Sequence, residues 1–442
     1  MEKTNTKQNG SIIAIITMMF LYAMIAFVTN LAAPIGVVWK NQPEIGGSNM
    51  LGMMGNFMNF FAYLFMGIPA GRLLTKIGYK KTALLGIAFG FVGVFIQFLS
   101  GFPSGMTGFI VYLLGAFVSG FSVCLLNTVV NPMLNLLGGG GNRGNQLNMI
   151  GGTLNSLAGT MTPMLVGALI GTVTASTQMA DVNLVMYIAM TVFAAAFVAL
   201  LFIPIKDPEM GKVTADTVFE HSPWSFRHCL LGVIAIFVYV GVEVGIPGGL
   251  NFYLSDTTAN GAWTNPEAVL NAATIGGAVA AMYWLLMLVG RLCSSFIAAK
   301  VSSRTLMLIA TFACMILILV AIFTPKSVTV SMPLISILEG SITSTTVPLT
   351  ALLLVLCGLF TSVMWASIFN LATEGLGKYT AQASGIFMMM VVGGGVLPVV
   401  QNFFADIFGY MPSYFVYFLA VAYMFYYALI GCKNVNPEIP VD

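Results

Sequence analysis

The chain has 442 residues, of which 58% are hydrophobic and only 7% charged, against roughly a quarter charged in an ordinary soluble domain, so water is excluded as its main solvent. A net charge of +2 excludes nucleic acid as a partner held by bulk electrostatics. The apolar runs are long and do not alternate, which excludes the strands of a membrane barrel and leaves helices, the other way a chain satisfies its backbone in lipid.

In chain order, the first six spans are predicted at residues 11–39, 49–70, 82–99, 108–137, 145–172 and 183–203, each bounded by polar or Gly/Pro-rich residues. The first is longer than a signal-peptide core and lacks a small-residue cleavage site, so it is expected to remain as a helix. A polar stretch, 206–227, follows and reads as a cytoplasmic linker between bundles 1–205 and 228–442. The second six spans are predicted at 228–254, 272–298, 305–323, 348–372, 380–404 and 412–430, with the external segment 326–347 expected as a short re-entrant or surface helix. Cys124, Cys229, Cys293, Cys314, Cys357 and Cys432 form no CxxC and lie among apolar residues, so packing is expected of them rather than disulfides or zinc.

Basic residues orient the chain. With both termini cytoplasmic, only Lys40 and Lys326 of the 17 lysines and arginines fall on the outer side, the bias expected of a multi-pass inner-membrane protein. Miscounting one span would move every later loop across the membrane, so the same bias supports the number twelve. The chain also repeats itself: GRLLTKIGYKK begins at Gly71 after the second span, and GRLCSSFIAAKVSSR at Gly290 after the eighth. Parallel six-helix repeats are a mark of transporters built on two rocking halves.

These stretches, with NTVVNPMLNLL on the fourth span, TLNSLAGT on the fifth, YVGVEV on the seventh, and IFNLATEGLG and VVGGGVLPVV on the tenth and eleventh, resemble the major facilitator superfamily, and within it the fucose/hexose permease branch. The resemblance covers most of the chain. It implies twelve helices in two bundles with a monosaccharide pathway between them, opened alternately to each side. Two carboxylates of the branch's proton-coupled fucose permeases are amides here, Asn30 before Pro34 and Asn127 before Asn131–Pro132, and a usual glutamine is Gly152 although Asn155 is kept. Sugar identity and coupling therefore do not transfer, and proton symport, sodium symport and uniport all stay open.

Glu243 is the one carboxylate deep inside a predicted span. A charge at that depth costs roughly 2.5–3.5 kcal/mol on insertion scales, and no basic residue is expected at similar depth, so Glu243 should face a cavity or be protonated. It is the coupling candidate. Asn30, Asn127, Asn131 and Asn155 can each donate and accept toward sugar hydroxyls, the competing role being interhelical hydrogen bonding. Tyr239 and Trp365 are the preferred aromatic platform, with Trp284 and Tyr253 behind them; packing is the ordinary role of aromatics in such a chain. Gln401 and Asn402 are expected to cap the eleventh span, and the glycines at 393–395 to serve as hinges or close contacts.

The inner-loop cluster Arg72, Lys76, Lys80 and Lys81, echoed by Arg291, Lys300 and Arg304, either latches the inner side against helix C-termini or Glu374, or merely sets orientation. GGGGNRG at 138–144 lacks the GK[ST] ending of a phosphate loop, and no nucleophile–base pair appears. A non-enzymatic monomer in the lipid bilayer is expected, with a sugar and possibly a proton or sodium as partners and no cofactor or metal. The rivals are a sensor or membrane enzyme on the same scaffold, and an exporter of amphipathic drugs.

Overall fold

The structure, a computed structural model, describes residues 2–137, 141–171, 173–174, 176–203, 221–265, 271–297, 301–336, 340–376, 379–436 and 439. Among them, twelve helices are long and apolar enough to cross a membrane. In the first half they are α1 (Ile12–Lys40), α2 (Met54–Leu74), α3 (Lys76–Leu99), α4 (Gly105–Asn131), α5 (Ile150–Ile170) and α6 (Met179–Phe202). In the second they are α7 (Arg227–Ser255), α8 (Ala272–Ser294), α9 (Ser303–Phe323), α10 (Leu349–Thr373), α11 (Gln382–Phe408) and α12 (Tyr410–Gly431). Residues 206–220 of the expected linker, and Lys300, lie outside the described residues.

At α3 the boundary moves from the expected residue 82 to Lys76. The basic stretch stays helical on both sides of one turn at Gly78, whose φ of 82° is a left-handed geometry that costs a Cβ-bearing residue and not glycine. The external segment is a correction. Instead of a helix it forms an antiparallel hairpin, β1 (Thr329–Ser336) on β2 (Ser341–Pro348), with Thr329 opposite Pro348 and Ser336 opposite Ser341. Its polar β-branched residues alternate, so Met332 and Val347 bury while Ile342 stays exposed, a period-2 pattern that a helix could not use. Lys326, just before it, donates to the Ala259 carbonyl at 3.0 Å and ties the hairpin's root to the α7–α8 loop.

Exposed Phe202, Phe296, Phe312 and Phe323 cover the outside of the bundle, where lipid rather than water is the natural contact. Between the halves, α5 runs along α8, α2 along α11, and α1 touches α7. Small residues make the closest of these approaches. A Cβ on Gly277 of α8 would lie 2.4 Å from the Pro163 carbonyl of α5, and one on Gly167 2.9 Å from that of Ala273. Gly393 sits beside a break in α11 between Met390 and Gly393, where a Cβ would meet the Phe237 carbonyl of α7 at 1.8 Å; close packing therefore explains it directly.

Candidate solute site and its two closures

Because α1, α2, α5, α7, α8 and α11 face one another, their polar residues line a seam between the halves. That seam has three layers, named outer, middle and inner after the orientation expected from the basic residues. In the middle, Thr29, Asn30 and Ala33 of α1, Asn56 of α2, Pro163 of α5, Val244, Pro247, Gly248 and Asn251 of α7, and Trp284 of α8 surround a cavity of about 20 Å³. That is room for a water molecule and not for a sugar ring. Proline at 163 and 247 removes a backbone donor from each of two facing helices, leaving carbonyls for other partners. Asn56 already spends its amide on the Gly394 carbonyl across the seam, at 2.8 Å.

The outer layer is a buried network that sequence reasoning missed. Lys40, at the end of α1, reaches Asp256 after α7 at 2.8 Å, with side-chain exposures of 7% and 6%. Lys40 also donates to the Tyr410 hydroxyl of α12. That hydroxyl stands 2.7 Å from Asn49 Oδ1 and 2.8 Å from Asp256 Oδ2, and gives its single proton to one of them. Asn49 then passes the contact on: its Nδ2 and backbone N–H donate to Asp406 Oδ1 at 2.8 and 2.7 Å, while Ser48 donates to Oδ2 at 2.7 Å. Asp406 of α11 thus caps the short helix Asn49–Gly52 of the other half. Burial alone would raise the Asp256 carboxyl, but the Lys40 ammonium and the Thr258 N–H hold it below the usual aspartate range. The sequence did carry a signal: Lys40 breaks the positive-inside pattern at the end of an apolar span, where a cation needs a partner.

The inner layer corrects the expectation that no basic residue reaches the depth of Glu243. Arg291 of α8 donates to Glu243 Oε1 at 3.2 Å, to the Gly152 carbonyl at 2.7 Å and to Ser156 Oγ at 2.8 Å, both on α5. The Gly71/Gly290 repeat made Arg291 look like a loop residue, and its counterpart Arg72 is indeed exposed. Yet Arg291 stands inside the predicted eighth span, and a planar five-donor fork on a long stem can reach inward from there. Tyr239 packs on Trp365 with ring centroids 6.1 Å apart; its hydroxyl lies beside Glu243 and Arg291 without closing a well-formed hydrogen bond.

Of the predicted amides only Asn30 lines the cavity, and its Nδ2 is held by the Ala26 carbonyl at 2.9 Å. Asn127, Asn131 and Asn155 form a separate group around two tyrosines. Asn127 donates to the Tyr63 hydroxyl at 2.6 Å, Tyr22 donates to Asn131, and Asn155 donates to the Tyr22 carbonyl at 3.0 Å. Tyr22 lies within electrostatic reach of Arg291, so this group joins the inner layer. Glu243 itself is one residue from the cavity-lining Val244. Trp284, buried at 5% exposure, is the indole that meets the cavity, and Tyr253 packs instead on Tyr410.

Two further basic residues bond within their own halves. Lys80 at the start of α3 donates to the Leu201 and Ile203 carbonyls at the end of α6, at 3.0 and 2.8 Å. Arg304 at the start of α9 does the same to Ala428 and Leu429 of α12, at 3.0 and 2.7 Å. Both satisfy helix C-termini. Lys76 and Lys81 are exposed. Gln401 and Asn402 are fully buried rather than terminal caps, Gln401 donating to Ser413 at 2.6 Å and so joining α11 to α12.

The chain is 28% identical over 98% of its length, and 97% of the other's, to the glucose/galactose transporter of Brucella abortus. It is 22% identical over 80% of its length, and 78% of the other's, to the L-fucose-proton symporter of Escherichia coli. A crystal structure of FucP, a Major Facilitator Superfamily transporter in the outward conformation, superposes with a TM-score of 0.65 over 96% of this chain and 100% of that one, at 18% identity. Twelve spans in two facing halves, with a seam of small residues and a cavity on it, are the architecture of that fold, and the family model for the Major Facilitator Superfamily matches residues 13–397: the chain belongs to the Major Facilitator Superfamily.

Proposed function

We propose that the chain is a secondary transporter that carries a hexose-type monosaccharide through the inner membrane, with both termini in the cytoplasm, by rocking 1–205 against 228–442. The observation that carries this reading is the Glu243–Arg291 pair set directly beneath a cavity whose lining includes Thr29, Asn30, Asn56, Asn251 and Trp284. Amides and hydroxyls that both donate and accept suit a polyol, and an indole suits the apolar face of a sugar ring. Relatives that carry glucose, galactose and fucose support the same class. An amphipathic-drug exporter is the second reading, and relatives named for glucose, galactose and fucose weigh against it.

The cavity opens into a sugar site when the halves part, and Asn127, Asn131, Asn155, Tyr239 and Trp365 complete it on the inner side. Glu243 is the coupling group, since both carboxylate positions of the proton-coupled fucose permeases are amides here. Counterflow and uphill uptake of labelled glucose and galactose in liposomes test this. Glu243→Gln is expected to keep counterflow and lose uphill uptake; unchanged uphill uptake would remove Glu243 from coupling, and no flux of any hexose in the unmodified protein would end the sugar reading.

A further inference from the structure

Arg291 binds three groups that belong to two different halves, and that division carries a mechanism. Its ion-pair partner, Glu243, lies in its own half, whereas Gly152 O and Ser156 Oγ lie across the seam. The cross-seam acceptors are a carbonyl and a hydroxyl, which hold a guanidinium by hydrogen bonds and carry no charge to neutralise it. Arginine does not give up its proton. Its compensation inside the bundle therefore comes from Glu243 alone among the described residues that face it, the others being the phenols Tyr22 of α1 and Tyr239 of α7; Tyr283 of α8 lies near Glu243. Phenols stay neutral at physiological pH.

We propose that Arg291 is a positioning residue that converts the charge of Glu243 into closure of the inner side. With Glu243 ionised, the guanidinium is neutralised within the bundle and clamps α8 to α5 at Gly152 and Ser156. When a proton binds a Glu243 oxygen, the ion pair is lost and an uncompensated cation remains buried, an arrangement strongly disfavoured over one in which the cation is hydrated. The seam then parts at Gly152 and Ser156, water reaches Arg291, and the inner side opens. Loss of the proton to the cytoplasm restores the pair and the clamp. The direction fits uptake: the proton-loaded carrier is the one that opens inward.

This inference rests on Glu243 being the coupling group, but it is read from a distance rather than from transport. Spin labels at Lys76→Cys and Phe296→Cys, two exposed sites near the expected cytoplasmic ends of α3 and α8 in opposite halves, in a Cys293→Ser background, report inner separation by pulsed electron resonance in sugar-free lipid nanodiscs. The expected result is a shift to longer distances as pH falls from about 8 to about 4. In Glu243→Gln the long distances should dominate at both values, and Glu243→Asp should keep the pH response. A pH response that survives in Glu243→Gln, or a Glu243→Gln distribution matching the unmodified protein at the higher pH, overturns the proposal. If the switch is present while no hexose is carried, the clamp stands and the sugar reading falls; flux without the switch gives the converse.

Discussion

At the outer end of the seam Lys40 and Asp256 meet at 2.8 Å with both side chains under a tenth exposed, whereas at the inner end Arg291 and Glu243 meet at 3.2 Å with side chains about twice as exposed. The difference in membership matters more than the difference in distance. Lys40 belongs to the first half and Asp256 to the second, so opening outward must separate opposite charges. Glu243 and Arg291 belong to the same half, and only neutral acceptors on α5 lie across the seam. Opening inward therefore breaks ordinary hydrogen bonds and leaves the ion pair whole, unless a proton dissolves it first. On our proposal one end is locked by charge and the other is governed by it.

Four measurements would break or sharpen that contrast. The largest effect is expected from Lys40→Met, which leaves Asp256 buried without its cation and should destabilise the outer-closed state by about 3–5 kcal/mol. Met53, which is buried and also lines the cavity, changed to cysteine and exposed to an impermeant maleimide in right-side-out vesicles, should then label rapidly; unchanged labelling would mean that the ion pair does not hold the outer side. Next comes Gly277→Val, whose Cβ would stand 2.4 Å from the Pro163 carbonyl. Overpacking of that kind typically costs about 1–3 kcal/mol, here charged to the closed outer seam, and the same label should report a smaller rise.

The third measurement is the pH dependence of that labelling. Because Lys40 and Thr258 hold the folded Asp256 carboxyl below its ordinary value, its stabilisation is fully present above the unfolded aspartate pKa and is lost only as pH falls through the lower folded one. Labelling at Met53→Cys should stay low from neutral through mildly acidic pH and rise only in strong acid. A rise in the mildly acidic range would assign the outer lock to another group. The smallest effect is expected at the inner end: Ser156→Ala removes one neutral acceptor while the Gly152 carbonyl remains, worth about 1 kcal/mol, or about a fivefold gain in the inner-open population seen by the Lys76/Phe296 spin pair. An effect as large as that of Lys40→Met would mean that the two ends are closed in the same way.

Much of this architecture was legible in the residues. Hydropathy located all twelve helices, and the Gly71/Gly290 repeat announced the two halves. The segment 326–347 was misread because a short apolar run such as LISIL fits a helix or a strand by composition, and the alternation in TVSMPLIS and SITSTTVP is what separates them. The site was legible only in kind. Amides, aromatics and one deep acid were named, yet Asn30 alone among the preferred residues lines the cavity, while Asn127, Asn131 and Asn155 spend their amides on Tyr63, an Asn127 carbonyl and a Tyr22 carbonyl. Arg291 was named only as an echo of the inner-loop cluster around Arg72, and its reach to Glu243 was not foreseen.

By itself the sequence determined that this protein spans a membrane twelve times, and in which broad family, since each apolar helix satisfies its own backbone and needs no distant residue to do so. What only the tertiary structure decided is which charges meet. Lys40 and Asp256 are 216 residues apart, and Arg291 reaches Ser156 across 135; such pairings follow from which helix faces pack together and how far a side chain can reach. Those relations belong to the assembled bundle, and no local stretch of chain encodes them.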